Sequence, residues 1–140
     1  MNSSDKHLRF GWWTLGIFLS LGVVLESLHG FKVGWFLDVS NETRRLMFRL
    51  AHAHGTLLAL VNIAAALTAR AVKGFELSAA AYASLLWGSV LVPVGFFLGG
   101  TGAREGDPGV GVWIVPPGAL LLVFAVFAAA RTLKPRPSDR

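Results

Sequence analysis

The chain has 140 residues and a formal net charge of +5, and 54% of its residues are hydrophobic against 15% charged. With a mean hydropathy of +0.57, that composition excludes an ordinary soluble domain and points to an integral membrane protein. The absence of cysteine excludes disulfides, thiolate metal centres, iron–sulfur clusters and haem attached through Cys.

Four apolar stretches approach the roughly 20 helical residues that cross a hydrocarbon layer. The predicted helices cover about 10–29, 42–70, 78–98 and 113–133. In lipid, backbone polar groups are satisfied only in helices or closed barrels, and these stretches lack the alternation of barrel strands. The expected fold is therefore all-α: a single integral membrane domain over 1–140, built as an antiparallel bundle of four transmembrane helices.

Lys6 and Arg9 precede the first stretch, but no small-X-small cleavage site closes it, so it reads as a transmembrane helix rather than a secretory signal. His7 falls in what reads as a solvated tail. Trp12 and Trp13 suit one membrane interface, and Trp35 and Trp113 the other. Towards the end of this helix, Glu26 and His29 are three residues apart and share a face with Gly22. That face is expected to look inward, with Gly22 letting a neighbouring helix approach. Glu-X-X-His is also the spacing by which helix bundles present two metal ligands from one helix.

Gly30, Gly34 and Asp38 then interrupt the apolar pattern. Phe31, Trp35, Phe36 and Leu37 beside Lys32 predict a segment in the interface that covers the end of the bundle. Ser40 or Asn41 is expected to cap the second helix, with Glu42 in its first turn.

The second helix carries Leu50-Ala51-His52-Ala53-His54-Gly55-Thr56. At about 100° per residue its two histidines point about 160° apart and cannot serve one site from a regular helix. Gly55, Thr56, Ala59, Asn62 and Ala66 share the His52 side. Met47, Leu50, Leu57, Leu58 and Val61 surround His54. Small and polar faces are the packed ones in membrane bundles, so His52 is expected inward. His54 is left to meet lipid headgroups, another helix or another subunit.

Pro93 is expected to kink the third helix near Ser89, and Gly95 and Gly99 are spaced for close packing. The glycine-rich run 100–109 reads as a flexible loop without the Lys-Ser/Thr ending of a phosphate loop. Pro116 and Pro117 suit the first turn of the last helix.

An arrangement with both termini in the cytoplasm places Lys6, Arg9, Arg70, Lys73, Arg131, Lys134, Arg136 and Arg140 inside, against Lys32, Arg44, Arg45, Arg49 and Arg104 outside. The positive-inside bias thus predicts N-in/C-in insertion in a bacterial cytoplasmic membrane. The bilayer is the expected partner, with a homo-oligomer or larger membrane complex also compatible and nucleic acid not expected.

At about 1.5 Å rise per residue, Glu26, His29 and His52 reach a similar depth. Three readings fit them. They suit an open three-ligand site for zinc, copper or non-haem iron, with His54 the remaining candidate ligand nearby. Alternatively His29 and His52 supply axial nitrogens to a haem b whose propionates meet Arg45, Arg49 or their neighbours Arg44 and Arg104. In the third reading the chain is a non-enzymatic accessory subunit or small carrier, and the Glu/His cluster holds helices together or relays protons.

The run Arg44-Arg45-Leu46-Met47-Phe48-Arg49 leading into Ala51-His52-Ala53-His54-Gly55 resembles the His-X-His helix of small bacterial membrane proteins distantly similar to the catalytic subunits of haem-copper oxidases and nitric oxide reductases. The resemblance covers 21–63 and rests on that one motif. It implies His52 or His54 as a haem or metal ligand. The third and fourth helices carry no histidine, so the further ligands of a full haem-copper centre have no counterpart in this chain.

Overall fold

The computed structural model of the protein describes residues 3–133; Lys134, Arg136 and Arg140, counted above in the charge bias, lie outside the described residues. In chain order the helices are α1 (Ser3–Gly30), a single turn α2 (Gly34–Leu37), α3 (Glu42–Ala71), α4 (Ala79–Thr101) and α5 (Val115–Thr132), with 3-10 turns at Val39–Asn41 and Val110–Ile114. Four of these segments, the second and the last each taken with the 3-10 turn before it, are long and apolar enough to cross a membrane.

The long helices pack in sequence order: α1 on α3, α3 on α4 and α4 on α5. The result is an open antiparallel row in place of a closed bundle, because α1 and α5 share no packed interface. Side-chain pattern explains it. α1 buries one narrow stripe, His7, Gly11, Thr14 and Leu25, and α5 buries only Gly118 and Ala125, whereas α3 buries residues along its whole length. The outer sides carry exposed Trp12, Trp13 and Ile17 on α1 and Leu120, Phe124 and Phe127 on α5. Such faces suit lipid.

Glycines set the helix separations. A Cβ at Gly11 would lie 2.9 Å from the Ala59 carbonyl oxygen, and one at Gly88 would lie 2.8 Å from the Gly118 carbonyl oxygen. Neither backbone can yield without the helices parting. Of the two expected glycines on α4, Gly95 fits tightly against Val115 and Ile114, while Gly99 has only ordinary contact room beside Met47 and Val112. α4 runs through the buried Pro93, and α5 opens with its prolines in the first turn, as expected.

α1 begins at Ser3, seven residues before the apolar stretch. The stripe explains the extension, since His7 lies one helical turn before Gly11 on the same face. Consequently His7 is not in a solvated tail. It is 3% exposed and part of the core.

One end of the row, here the loop end, holds the connections 31–41 and 102–114; the other, the terminal end, holds the start of α1, the 72–78 connection and the end of α5. At the loop end the segment after α1 does cover the helices. Phe36 inserts at 2% exposure and packs with Leu25 and Phe48. Asn41 stands at the N-cap of α3 but makes no capping bond. Its Nδ2 instead donates to the Ala103 carbonyl at 2.9 Å. Arg44 donates to the Trp35 and Ala103 carbonyls and lies over the Trp35 ring at 4.8 Å. Both loop-end connections are thereby tied to the start of α3. Ser40 donates its hydroxyl and its amide to Asp38. Those bonds, the hydroxyl's first, hold the Asp38 carboxyl below its ordinary pKa.

Candidate functional site

His52 bridges α1 and α3 in the loop-end half of their seam. Its Nδ1 lies 2.7 Å from the Phe18 carbonyl oxygen of α1. A carbonyl only accepts, so Nδ1 carries the proton and a neutral ring keeps its Nε2 lone pair. The imidazole rests on Gly22, where an added Cβ would fall 2.5 Å from Cε1. One turn on, Gly55 receives the Phe18 ring in the same way. The small-residue face read from the sequence is thus the α1 contact, and His52 is half-buried in it.

Beside His52 a groove of about 1030 Å³ runs between α1 and α3, walled by Leu19, Val23, Leu46 and Leu50 and bordered by Glu26, Arg49 and His52. A second cavity of about 410 Å³ continues it towards the loop end, bordered by Glu26, His29, Phe36, Arg45 and Arg49. The groove is at the upper end of the size range of ligand sites, roughly 300–1,000 Å³. Its cations are unequal. Arg45 is paired with Glu42 at 3.2 Å, and Arg44 is spent on backbone carbonyls. Among the described residues Arg49 has no ion-pair or hydrogen-bond partner, although it borders both cavities.

The face carrying Glu26 and His29 is not inward. Both are exposed, and the buried residue of that turn is Leu25. About 100° separates Glu26 from Leu25 around the helix, and the neighbours of α1 at this end, α3 and the short α2, pack on the Leu25 side, so Glu26 is left exposed. Glu26 therefore shares the groove with His52 and Arg49, while His29 borders only the adjoining cavity. Among the described residues no group of three or more His, Asp or Glu side chains is arranged to hold a metal ion. His54 is separate from the rest. Of its three predicted environments it takes a neighbouring helix, its ring lying 4.9 Å from that of Phe96 on α4 and its Nδ1 donating to the Leu50 carbonyl at 2.9 Å.

Sequence reasoning missed a second polar cluster, at the terminal end. His7 Nδ1 lies 2.6 Å from Asn62 Oδ1. The Asn62 amide donates to the Leu58 carbonyl at 2.8 Å and to Ser89 Oγ at 2.7 Å. Asn62 and Ser89 are fully buried, and the Tyr82 ring lies 4.9 Å from His7. One chain of hydrogen bonds thus joins α1, α3 and α4. The available signal was the spacing His7-Gly11-Thr14, which continues the packed face past Lys6 and Arg9.

Comparison with known protein families, with curated proteins and with solved structures yields no match.

Proposed function

We propose that this chain is a small multi-pass membrane protein, inserted with both termini in the cytoplasm, that binds an amphipathic anion in the α1–α3 groove. The observation that carries this reading is Arg49: an uncommitted guanidinium at the loop-end mouth of an apolar groove wide enough for a cofactor or lipid. The apolar walls take the body of the ligand and Arg49 its carboxylate or phosphate. Haem b is the candidate that uses both Arg49 and His52, with propionates at Arg49 and iron at His52 Nε2. The Phe18 carbonyl supports it there, since a histidine ligand is oriented by what its other nitrogen donates to. The same residue is one of the two, His52 or His54, that the His-X-His resemblance implies as a ligand. An anionic phospholipid shares the headgroup chemistry but has no use for His52.

An absorption spectrum and lipid analysis of detergent-purified protein separate the two. Haem predicts a Soret band that His52→Ala abolishes and Arg49→Gln weakens, with His54→Ala nearly silent. A co-purifying phospholipid that Arg49→Gln releases and His52→Ala retains assigns the groove to lipid. Neither ligand at stoichiometric amount overturns the reading. A second reading, in which the chain is an accessory subunit and His52 only fastens helices, is favoured by the Phe18 bond, which already satisfies Nδ1. It predicts that His52→Ala lowers thermal stability and changes no bound ligand.

A further inference from the structure

The terminal end holds a polar atom that the hydrogen-bond chain leaves unused. Asn62 donates to the Leu58 carbonyl, which fixes its amide orientation, so its Oδ1 accepts from His7 and Nδ1 of His7 is the protonated nitrogen. In the neutral ring Nε2 is then an acceptor, and among the described residues it has no partner. His7 is only 3% exposed, yet it borders a recess of about 230 Å³ between α1 and α4, whose other walls include Ser3, Lys6, Tyr82, Leu86 and Trp87. Lys6 is exposed at the rim, and Trp87 is 57% exposed. An unpartnered acceptor on a largely buried ring that borders the recess, a cation and an exposed indole towards the end of membrane-length helices are the parts of a headgroup site.

We infer that this recess binds a phospholipid whose headgroup carries an N–H or O–H donor, ethanolamine or glycerol, in preference to choline. Lys6 meets the phosphate, His7 Nε2 accepts from the headgroup donor, and Leu86 and Trp87 flank the first part of an acyl chain. Choline carries three methyl groups where the donor is needed and leaves Nε2 unsatisfied. The inference rests on the part of the proposed function that places the helices across a bilayer, and it is independent of what occupies the α1–α3 groove.

The test uses the full-length protein reconstituted in vesicles of phosphatidylcholine containing a minor fraction of phosphatidylethanolamine, the acyl chains being identical. Resistance to alkaline extraction is checked first, and loss of the protein from the vesicles overturns the membrane reading itself. Native mass spectrometry of the retained protein should show the ethanolamine lipid enriched about three- to tenfold over its bulk ratio, the effect of one hydrogen bond. His7→Asn keeps a donor for Asn62 Oδ1, so the helix tie and fold persist, and deletes the Nε2 acceptor. It should abolish the enrichment. Lys6→Gln should weaken retention of both lipids and leave their ratio unchanged. Bulk-ratio binding by the native chain, or enrichment that survives His7→Asn, overturns the site.

Discussion

At each end of the α1–α3 seam a histidine donates its Nδ1 proton across the interface, but the acceptors differ. His52 at the loop end bonds a backbone carbonyl and leans on a glycine beside an open groove. His7 at the terminal end bonds a side-chain amide that is itself held by α3 and α4. A backbone acceptor is indifferent to the residue that carries it, so the loop end can keep space beside its histidine at little structural cost. A side-chain acceptor makes the terminal end depend on several buried partners at once. One end therefore keeps open space beside its histidine, and the other ties three helices together.

The contrast is broken most directly at Asn62. Asn62→Leu strands His7 Nδ1 and Ser89 Oγ together, and a buried polar group without its partner costs about 1–3 kcal/mol. The expected loss is about 3 kcal/mol in a detergent unfolding titration. His52→Leu in the same assay should cost about 1 kcal/mol, the usual scale of an interhelical polar contact in a membrane protein. Equal losses would remove the distinction between the ends.

Two glycines sharpen it. Gly11→Ala drives a methyl against a backbone oxygen and should cost about 1–3 kcal/mol, as overpacking does. In Gly22→Ala the atoms nearest the new methyl all belong to the His52 imidazole, which can swing aside. It should cost less stability than Gly11→Ala but separate His52 from the Phe18 carbonyl, read as a changed absorption or lipid content of the purified protein.

The smallest effect belongs to Asp38. Its carboxyl titrates below the ordinary range because Ser40 donates to the ionised form. A depressed folded-state pKa stabilises the fold above the unfolded pKa, and that contribution disappears as pH falls through the folded value. Thermal melts of the native chain and Asp38→Asn should therefore differ slightly near neutrality and converge in strong acid.

Much of the helical layout was legible because apolar length and residue spacing carry it. Apolar length placed four helices, Pro116 and Pro117 marked the start of α5, and small residues on one side of α3 turned His52 towards α1. The expected inward face of Glu26 and His29 failed for an identifiable reason. Their spacing puts them on a common side, but which side of α1 is covered depends on how many helices pack against it, and the row leaves α1 with one principal neighbour. His7 was misread because Lys6 and Arg9 end the apolar stretch, although a helix continues wherever its packed stripe does. The orphaned Oδ1 of Asn41 shows the same limit at the loop end: a residue with capping chemistry spent its amide on the other connection.

The sequence by itself determined that the chain is helical, apolar enough for four spans and equipped with His52 on the small-residue face of its second long helix, because composition and 3.6-residue periodicity are local properties. Only the tertiary structure decided which groups meet. Burial, the uncommitted state of Arg49 and the joining of His7, Asn62 and Ser89 depend on contacts between distant residues, such as His7 and Asn62, 55 positions apart, and no local pattern encodes the order in which helices pack.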